Sequence, residues 1–237
     1  MENRFLAPHY VREYRHLVRF LQRRGADEAS IFERAVGGNY HQQGEAQAKL
    51  VLGFAPEGPF NLLDVGCGSG RLSHALRDEK RVSYLGVDVV PDLIEYAQRV
   101  SARPDWRFET IDSLNLPCPG EWADVVVFMS VLTHLKPAEC RDYIAEAART
   151  LKPGGLVIAS YLNRDHPPHR RSFRPAWRQR IARFLRREVM ISFTTPEEMT
   201  GWFENAGLTV RQTITDKSPV GQHVMIGVKP LEQPTAQ

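Results

Sequence analysis

Gly66-Cys-Gly-Ser-Gly70 places glycine at every second position, and a carboxylate, Asp64, stands two residues ahead of it. Alternating glycines let a backbone approach a ligand closely and take conformations closed to residues with a side chain. Phosphate is the usual guest of such a loop, yet Asp64 would repel one. The third glycine also comes one residue early for the GxGxxG dinucleotide fingerprint. A second acid, Asp88 in Tyr84-Leu-Gly-Val-Asp88, lies 18 residues past Gly70, where a carboxylate accepts hydrogen bonds from both hydroxyls of a ribose. A third, Asp112 in Glu109-Thr-Ile-Asp-Ser113, is placed to meet an adenine amino group. Singly, each acid is an ordinary loop residue. Their recurrence after three successive strand-like segments asks for a nucleoside cofactor that prefers a carboxylate beside the glycine loop.

The elements that must hold these acids are legible as short apolar runs alternating with helical periodicity. Strands are expected at Phe60–Val65, Val82–Val87, Trp106–Glu109, Ala123–Met129 and Gly155–Ser160, with helices at Gly70–Glu79, Pro91–Val100 and Pro137–Leu151. That alternation predicts a parallel sheet covered by helices on both faces. Ligands bind such sheets at the carboxyl ends of the strands, where the glycine loop falls. Thr195-Pro-Glu-Glu198 reads as a capped helix start, and strands follow at Leu208–Ile214 and His223–Val228. Ahead of the core, Tyr10, Tyr14, Leu17, Val18 and Leu21 keep helical spacing in a helix ending near Gly25. Further helices are expected over Asp27–Val36 and Glu45–Phe54, on either side of the Gly37-Gly38 break.

In order along the chain, Leu62-Leu-Asp-Val-Gly-Cys-Gly-Ser-Gly70, Gly86-Val-Asp88, Ala123-Asp-Val-Val-Val-Phe128 and Leu151-Lys-Pro-Gly-Gly155 resemble successive motifs of the class I S-adenosylmethionine-dependent methyltransferases, small-molecule branch. The resemblance implies a Rossmann-like, doubly wound α/β fold with a seven-stranded sheet, mostly parallel with an antiparallel last strand. It implies S-adenosyl-L-methionine as cofactor and S-adenosyl-L-homocysteine as product. A sulfonium carries positive charge and no phosphate, so Asp64 becomes favourable. By the family's pattern Asp64 with the backbone of Gly66, Cys67, Gly68 and Gly70 holds the methionyl part and Asp88 the ribose. Val89, Asp112 and Ser113 hold the adenine, and Phe128 belongs to the same cofactor set. Residues 1–59 form a helical extension covering the site, 60–230 the methyltransferase domain with a lid-like insert at 161–195, and 231–237 a loose tail.

Methyl transfer from a sulfonium is an in-line displacement whose donor is already activated, so the protein chiefly aligns and dries the reactants. A base is needed for a hydroxyl or ammonium acceptor. Phe128-Met-Ser-Val-Leu-Thr-His134 follows strand four, where related enzymes place residues facing the methyl. His134 is the leading candidate for a base, since imidazole titrates near neutrality, and Tyr40 is a second. His41, Tyr161, His166, His169, Arg170 and Arg171 are candidates for holding the acceptor. The chain has no Asp/Asn-Pro-Pro-aromatic motif after strand four, which disfavours exocyclic base methylation. Cys118, in Pro117-Cys118-Pro119, follows strand three and is misplaced for a pyrimidine nucleophile.

The net charge of +3 is local: Arg164 to Arg187 carries nine arginines and one acid. Arginines near the site suit a carboxylate or phosphate on the acceptor, and in part they are the wet face of a helix with Ile181, Phe184 and Leu185 on its apolar side. An RNA methyltransferase using this cluster as a phosphate track, or a cofactor-binding protein without catalysis, are the alternatives. The expected partner is a small or medium-sized metabolite with an O, N or S acceptor, rather than nucleic acid. With 237 residues the chain supports one core. Cys67, Cys118 and Cys140 have no metal-ligand spacing and read as free thiols. No metal ion is expected. The composition lacks a membrane span or a continuous apolar leader, so a cytoplasmic location is expected.

Overall fold

The computed structural model describes residues 8–23, 27–35, 39–171, 190–215 and 218–231. Seven strands form one sheet: β1 Phe60–Val65, β2 Val82–Asp88, β3 Arg107–Thr110, β4 Ala123–Phe128, β5 Leu151–Tyr161, β6 Thr209–Ile214 and β7 His223–Val228. Their order is β3-β2-β1-β4-β5-β7-β6. Pairings from β3 through β5 are parallel, and β7 runs antiparallel to both β5 and β6. The expected architecture, with its antiparallel last strand, is the one observed. Strand order reverses between β1 and β4, and Val65 is level with both Val87 and Phe128. The crevice of the sheet therefore opens where the glycine loop leaves β1.

Alternation within each strand divides the core. Leu63, Val65, Leu85, Val87, Val126, Phe128, Val157 and Ala159 face helices α6 (Pro137–Thr150) and α8 (Pro196–Asn205) through Ile144, Ala147, Met199 and Phe203. Leu62, Val82, Tyr84, Val125, Val127 and Ile158 face the other way, onto Leu72 and Leu76 of α4 (Arg71–Leu76) and Leu50 and Val51 of α3 (Tyr40–Phe54). Burying one such side chain contributes about 1.5–3 kcal/mol. The central strands are apolar on both faces, so they read as continuous apolar runs. Thr195 caps α8 as expected: its side chain accepts the Glu198 N–H at 3.2 Å, while Glu198 accepts the Thr195 N–H at 3.0 Å.

Three of the boundaries that differ from expectation have a visible cause. The third helix begins at Tyr40 rather than Glu45, because Asn39 takes a left-handed φ of 52° and turns the chain straight into it. Tyr40 and His41 are therefore helical residues. β5 starts at Leu151, directly after α6, because Leu151 already pairs with Ala123 before the register shift that precedes Val125. Trp106 lies just outside β3, buried, its indole N–H donating to the Val82 carbonyl at 3.1 Å.

The N-terminal helices pack on both sides of the crevice. Tyr10 and Val11 of α1 (His9–Gln22) join the α6 face, while Val18 packs with Ile31 and Phe32 of α2 (Glu28–Ala35) and with Val90 and Leu93 of α5 (Pro91–Ser101). Glycine at position 44 lets α3 approach the Arg71 carbonyl: a Cβ there would lie 2.5 Å from that oxygen. All three cysteines are buried free thiols. Among the described residues, no helix is long and apolar enough to cross a membrane. Residues 172–189 of the arginine-rich insert, with the expected stripe of Ile181, Phe184 and Leu185, lie outside the described residues.

Candidate functional site

Asp64 ends one face of β1, wholly enclosed, and accepts the Tyr84 hydroxyl at 2.6 Å. Burial pushes its carboxyl up to about 7, with the Tyr84 hydrogen bond opposing and the neighbouring Asp88 adding to the rise. The glycine loop then turns through Gly66, Gly68 and Gly70 at φ of 69°, 55° and 81°, a conformation that a side chain would strain. The N–H groups of Gly66 and Cys67 both donate to the Val87 carbonyl, at 2.8 and 3.0 Å, which closes the loop over the end of β2. Cys67 is buried beside the two acids, and burial raises its thiol well above the ordinary value.

Asp88 ends β2 and stitches the loop to the next helix. Its Oδ2 accepts the Gly68 N–H and its Oδ1 the Val90 N–H, each at 3.0 Å. Burial raises it to about 6, and these backbone donors oppose the rise. Val89 presents its carbonyl to Arg15 Nε at 2.9 Å. Asp112 is exposed beyond β3, with Ser113 beside it. The Phe128 ring is buried in the core against Tyr143, centroids 5.3 Å apart, so what it offers the crevice is backbone.

The N-terminal helices reach this loop. The Tyr40 hydroxyl donates to the Ser69 carbonyl at 2.8 Å, which makes it a loop clamp as placed. His41 packs with Tyr40 and His74, ring centroids 5.3 and 5.4 Å away, rather than with the other acceptor candidates. Burial raises the Tyr14 phenol, with the Asp88 charge adding to it. Tyr14 also meets His134 edge to face at 5.2 Å. The helix α1 thus spans from Val89 at the end of β2 to His134 after β4.

His134 ends a single 3-10 turn, Leu132–His134. Its Nδ1–H donates to the Met190 carbonyl at 2.6 Å, while the Met190 N–H donates to Glu13 at 2.6 Å. Burial lowers the imidazole pKa, with that hydrogen bond and Glu13 opposing. A neutral ring with its hydrogen on Nδ1 carries its lone pair on Nε2, the form a general base requires. The segment leading to it begins at Ser130, a non-glycine residue with φ of 64°. Gln222 donates to Ser130 Oγ at 3.0 Å and accepts from Ser160 Oγ at 2.8 Å, tying the ends of β4, β5 and β7 together.

Tyr161 and His169 are buried and His166 half-buried, and all three gather near His223, at the start of β7. Arg170 is exposed at the end of the short helix α7 (Pro167–Arg171); the side chain of Arg171 lies outside the described residues. Sequence reading missed Arg71, Tyr14, Tyr84, Ser130 and His223. Arg71 carried a signal: a cation at the first position of a helix opposes the helix dipole and asks for a reason. Its guanidinium is itself depressed by burial and feels Tyr14 and Asp64.

The donor set suits a cationic nucleoside: two enclosed carboxylates, a backbone cradle and no lysine within Gly66–Arg71. The family model described as "Methyltransferase domain" matches residues 9–213. Among curated proteins, the ubiquinone biosynthesis O-methyltransferase of Methylobacterium nodulans (strain LMG 21967 / CNCM I-2342 / ORS 2060) is 35% identical over 161 residues, covering 65% of this chain and 61% of that protein. That of Xanthomonas euvesicatoria pv. vesicatoria (strain 85-10) is 31% identical, covering 62% of each. The chain thus spans about three fifths of the length of these relatives. In fold it is similar to the magnesium protoporphyrin IX methyltransferase of Synechocystis PCC 6803 solved with bound S-adenosylhomocysteine, with a TM-score of 0.65 at 18% identity over 92% of this chain and 98% of the other.

The chain belongs to this methyltransferase family. By family and fold it is a methyltransferase domain of the class I, S-adenosylmethionine-dependent kind.

Proposed function

We propose that the enzyme methylates a hydroxyl oxygen of a small molecule, a phenolic precursor of the quinone type named for its relatives. The observation that carries this reading is His134, held by the Met190 carbonyl with Nε2 bearing the lone pair. A hydroxyl acceptor needs such a base, whereas a thioether or carboxylate does not.

The cofactor supplies an activated methyl on a sulfonium sulfur. Asp64 and the loop backbone hold its methionyl ammonium, Arg71 its carboxylate, Asp88 the ribose hydroxyls, and Val89, Asp112 and Ser113 the adenine. Each Asp88 oxygen accepts one backbone N–H and keeps a further lone pair for a ribose hydroxyl. Helix α1 excludes water from the crevice through Tyr14 and keeps His134 upright. His134 Nε2 would take the hydroxyl proton from an acceptor held against the methyl that a bound S-adenosylmethionine would supply, the sulfonium sulfur serving as the leaving group. Arg170, exposed beside the acceptor half, orients an acidic substituent.

The experiment is a rate assay of S-adenosylhomocysteine release with hydroxylated polyprenyl benzoates and simple catechols. His134→Asn keeps a side-chain N–H for the Met190 carbonyl and removes the base. Its kcat is expected to fall by about 10²–10⁴, with affinity for S-adenosylhomocysteine unchanged. Wild-type turnover in that variant would remove His134 from the chemistry.

A further inference from the structure

Three histidines converge where α7 passes the first residue of β7, and we propose that they form a site for a divalent transition-metal ion of the zinc, cobalt or nickel kind. His166 and His169 are three residues apart around one helical turn, and His223 opens the neighbouring strand. One ring nitrogen from each lies within 4.8 Å of the others. The ring centroids are 4.5, 4.7 and 4.8 Å apart, and His169 and His223 are only 6% and 4% exposed. Tetrahedral coordination with metal–nitrogen bonds of about 2.0–2.1 Å needs nitrogens roughly 3.4 Å apart, so small side-chain rotations close the set. Three imidazoles with a fourth position left for water or substrate is a ligand set of open zinc sites. It is the wrong one for magnesium or calcium, which prefer oxygen.

The hydrogen bonding sets a condition on one ligand. The Asn163 N–H donates to His169 Nδ1 at 2.9 Å, which makes Nδ1 the lone-pair nitrogen and leaves the hydrogen on Nε2. An ion at Nδ1 displaces that amide; an ion at Nε2 requires the ring proton to pass through solvent to Nδ1. Either way His169 exchanges the neutral Asn163 hydrogen bond for a coordinate bond, a small loss against a large gain. Among the described residues, Arg164 reaches Glu198 at 3.5 Å and Arg170 is exposed to solvent, so neither opposes the ion strongly. Beside the cluster, Tyr161 stands edge-on to His223 at 5.6 Å, and its buried hydroxyl has no hydrogen-bond partner among the described residues. A metal-bound water is the kind of group that supplies one.

The corner belongs to the acceptor half of the site. Tyr161 and His223 are register partners, and Gln222, the residue before His223, is bound to Ser130 and Ser160. An exchangeable position on the ion there faces the side where the acceptor's oxygen arrives. That placement rests on the proposed function; ion binding itself does not.

The test uses the full chain without a polyhistidine tag, stripped with chelator and titrated with cobalt(II), with bound metal counted by mass spectrometry. One cobalt per chain is expected, with the intense visible absorption of a four-coordinate site, displaced by zinc. His166→Ala should weaken the affinity by at least about tenfold, the lower end of what losing even a supporting group costs, and should keep S-adenosylhomocysteine binding. The same is expected of His223→Gln; if that buried change unfolds the chain, His166→Ala decides, since its ring is only half-buried. No saturable cobalt binding, or equal affinity and spectrum in His166→Ala, would overturn the site. Cobalt bound in a chain that releases no S-adenosylhomocysteine would uphold the site and count against the proposed function alone.

Discussion

Burial raises the Asp64 carboxyl to about 7 and Asp88 to about 6, so the ligand-free chain protonates both well above the ordinary carboxylate value of 3.8. Between those limits the folded state binds more protons than the unfolded one. Stability contributed by protonation is therefore complete below 3.8 and is lost as pH rises toward about 7. The melting temperature of the free enzyme should fall across this window, and fall less in Asp64→Asn. In the proposed arrangement cofactor binding runs the other way, because the methionyl ammonium favours an ionised Asp64. Affinity for S-adenosylhomocysteine should strengthen about tenfold from pH 6 to pH 8, as a one-unit deficit in ionisation demands. Calorimetric titrations showing a flat affinity would separate Asp64 from the methionyl group. Asp64 and Asp88 were legible from one strand each, being acids at strand ends beside glycine. Tyr84 was not, because its hydroxyl finds Asp64 only through the register that sets β1 against β2.

At the scale of elements, Gly44 tests whether α3 is part of the cofactor loop's support. In an open helix, glycine to alanine stabilises by about 1 kcal/mol. Here the new Cβ would lie 2.5 Å from the Arg71 carbonyl, and overpacking of that kind costs about 1–3 kcal/mol. The sign of the change is thus the measurement: Gly44→Ala should lower the melting temperature by about 2–4 °C per kcal/mol and weaken S-adenosylhomocysteine binding as Arg71 shifts. A rise in melting temperature would place α3 farther from the loop. The core strands and the α8 cap were readable because apolar runs and capping residues are local signals. The start of α3 was not: Tyr40 to Gly44 has no apolar stripe, and its helix is held from outside by Ser69 and the turn at Asn39.

For the molecule as a whole, the local basic charge decides between acceptors. Arg164 is engaged by Phe193 and Glu198 within the fold, which leaves it poorly placed for a phosphate track. The KM for the small acceptor should change little between 50 and 200 mM salt, whereas an RNA track would lose about 10³–10⁵ in affinity over that range. Rate measurements at both ionic strengths with either substrate separate the two. The sequence motifs covered the cofactor half because the cofactor is met by strand ends and a loop of fixed spacing. The proposed acceptor half draws on residues as distant as Glu13, Met190 and His223, which no local pattern joins.

The strand order carries one more consequence. β7 lies between β5 and β6, which do not pair with each other. As the chain is synthesised, β5 therefore presents an open edge, and β6 finds no partner, until residue 228 has emerged. At 5–20 residues per second that interval is on the order of 3–13 s. Leu156, Val157, Ile158 and Ala159, all buried in the finished sheet, form the kind of apolar edge that templates association between chains. Of the strands in this sheet, β7, made after the other six, is thus the one that closes the apolar edge of β5 to other copies.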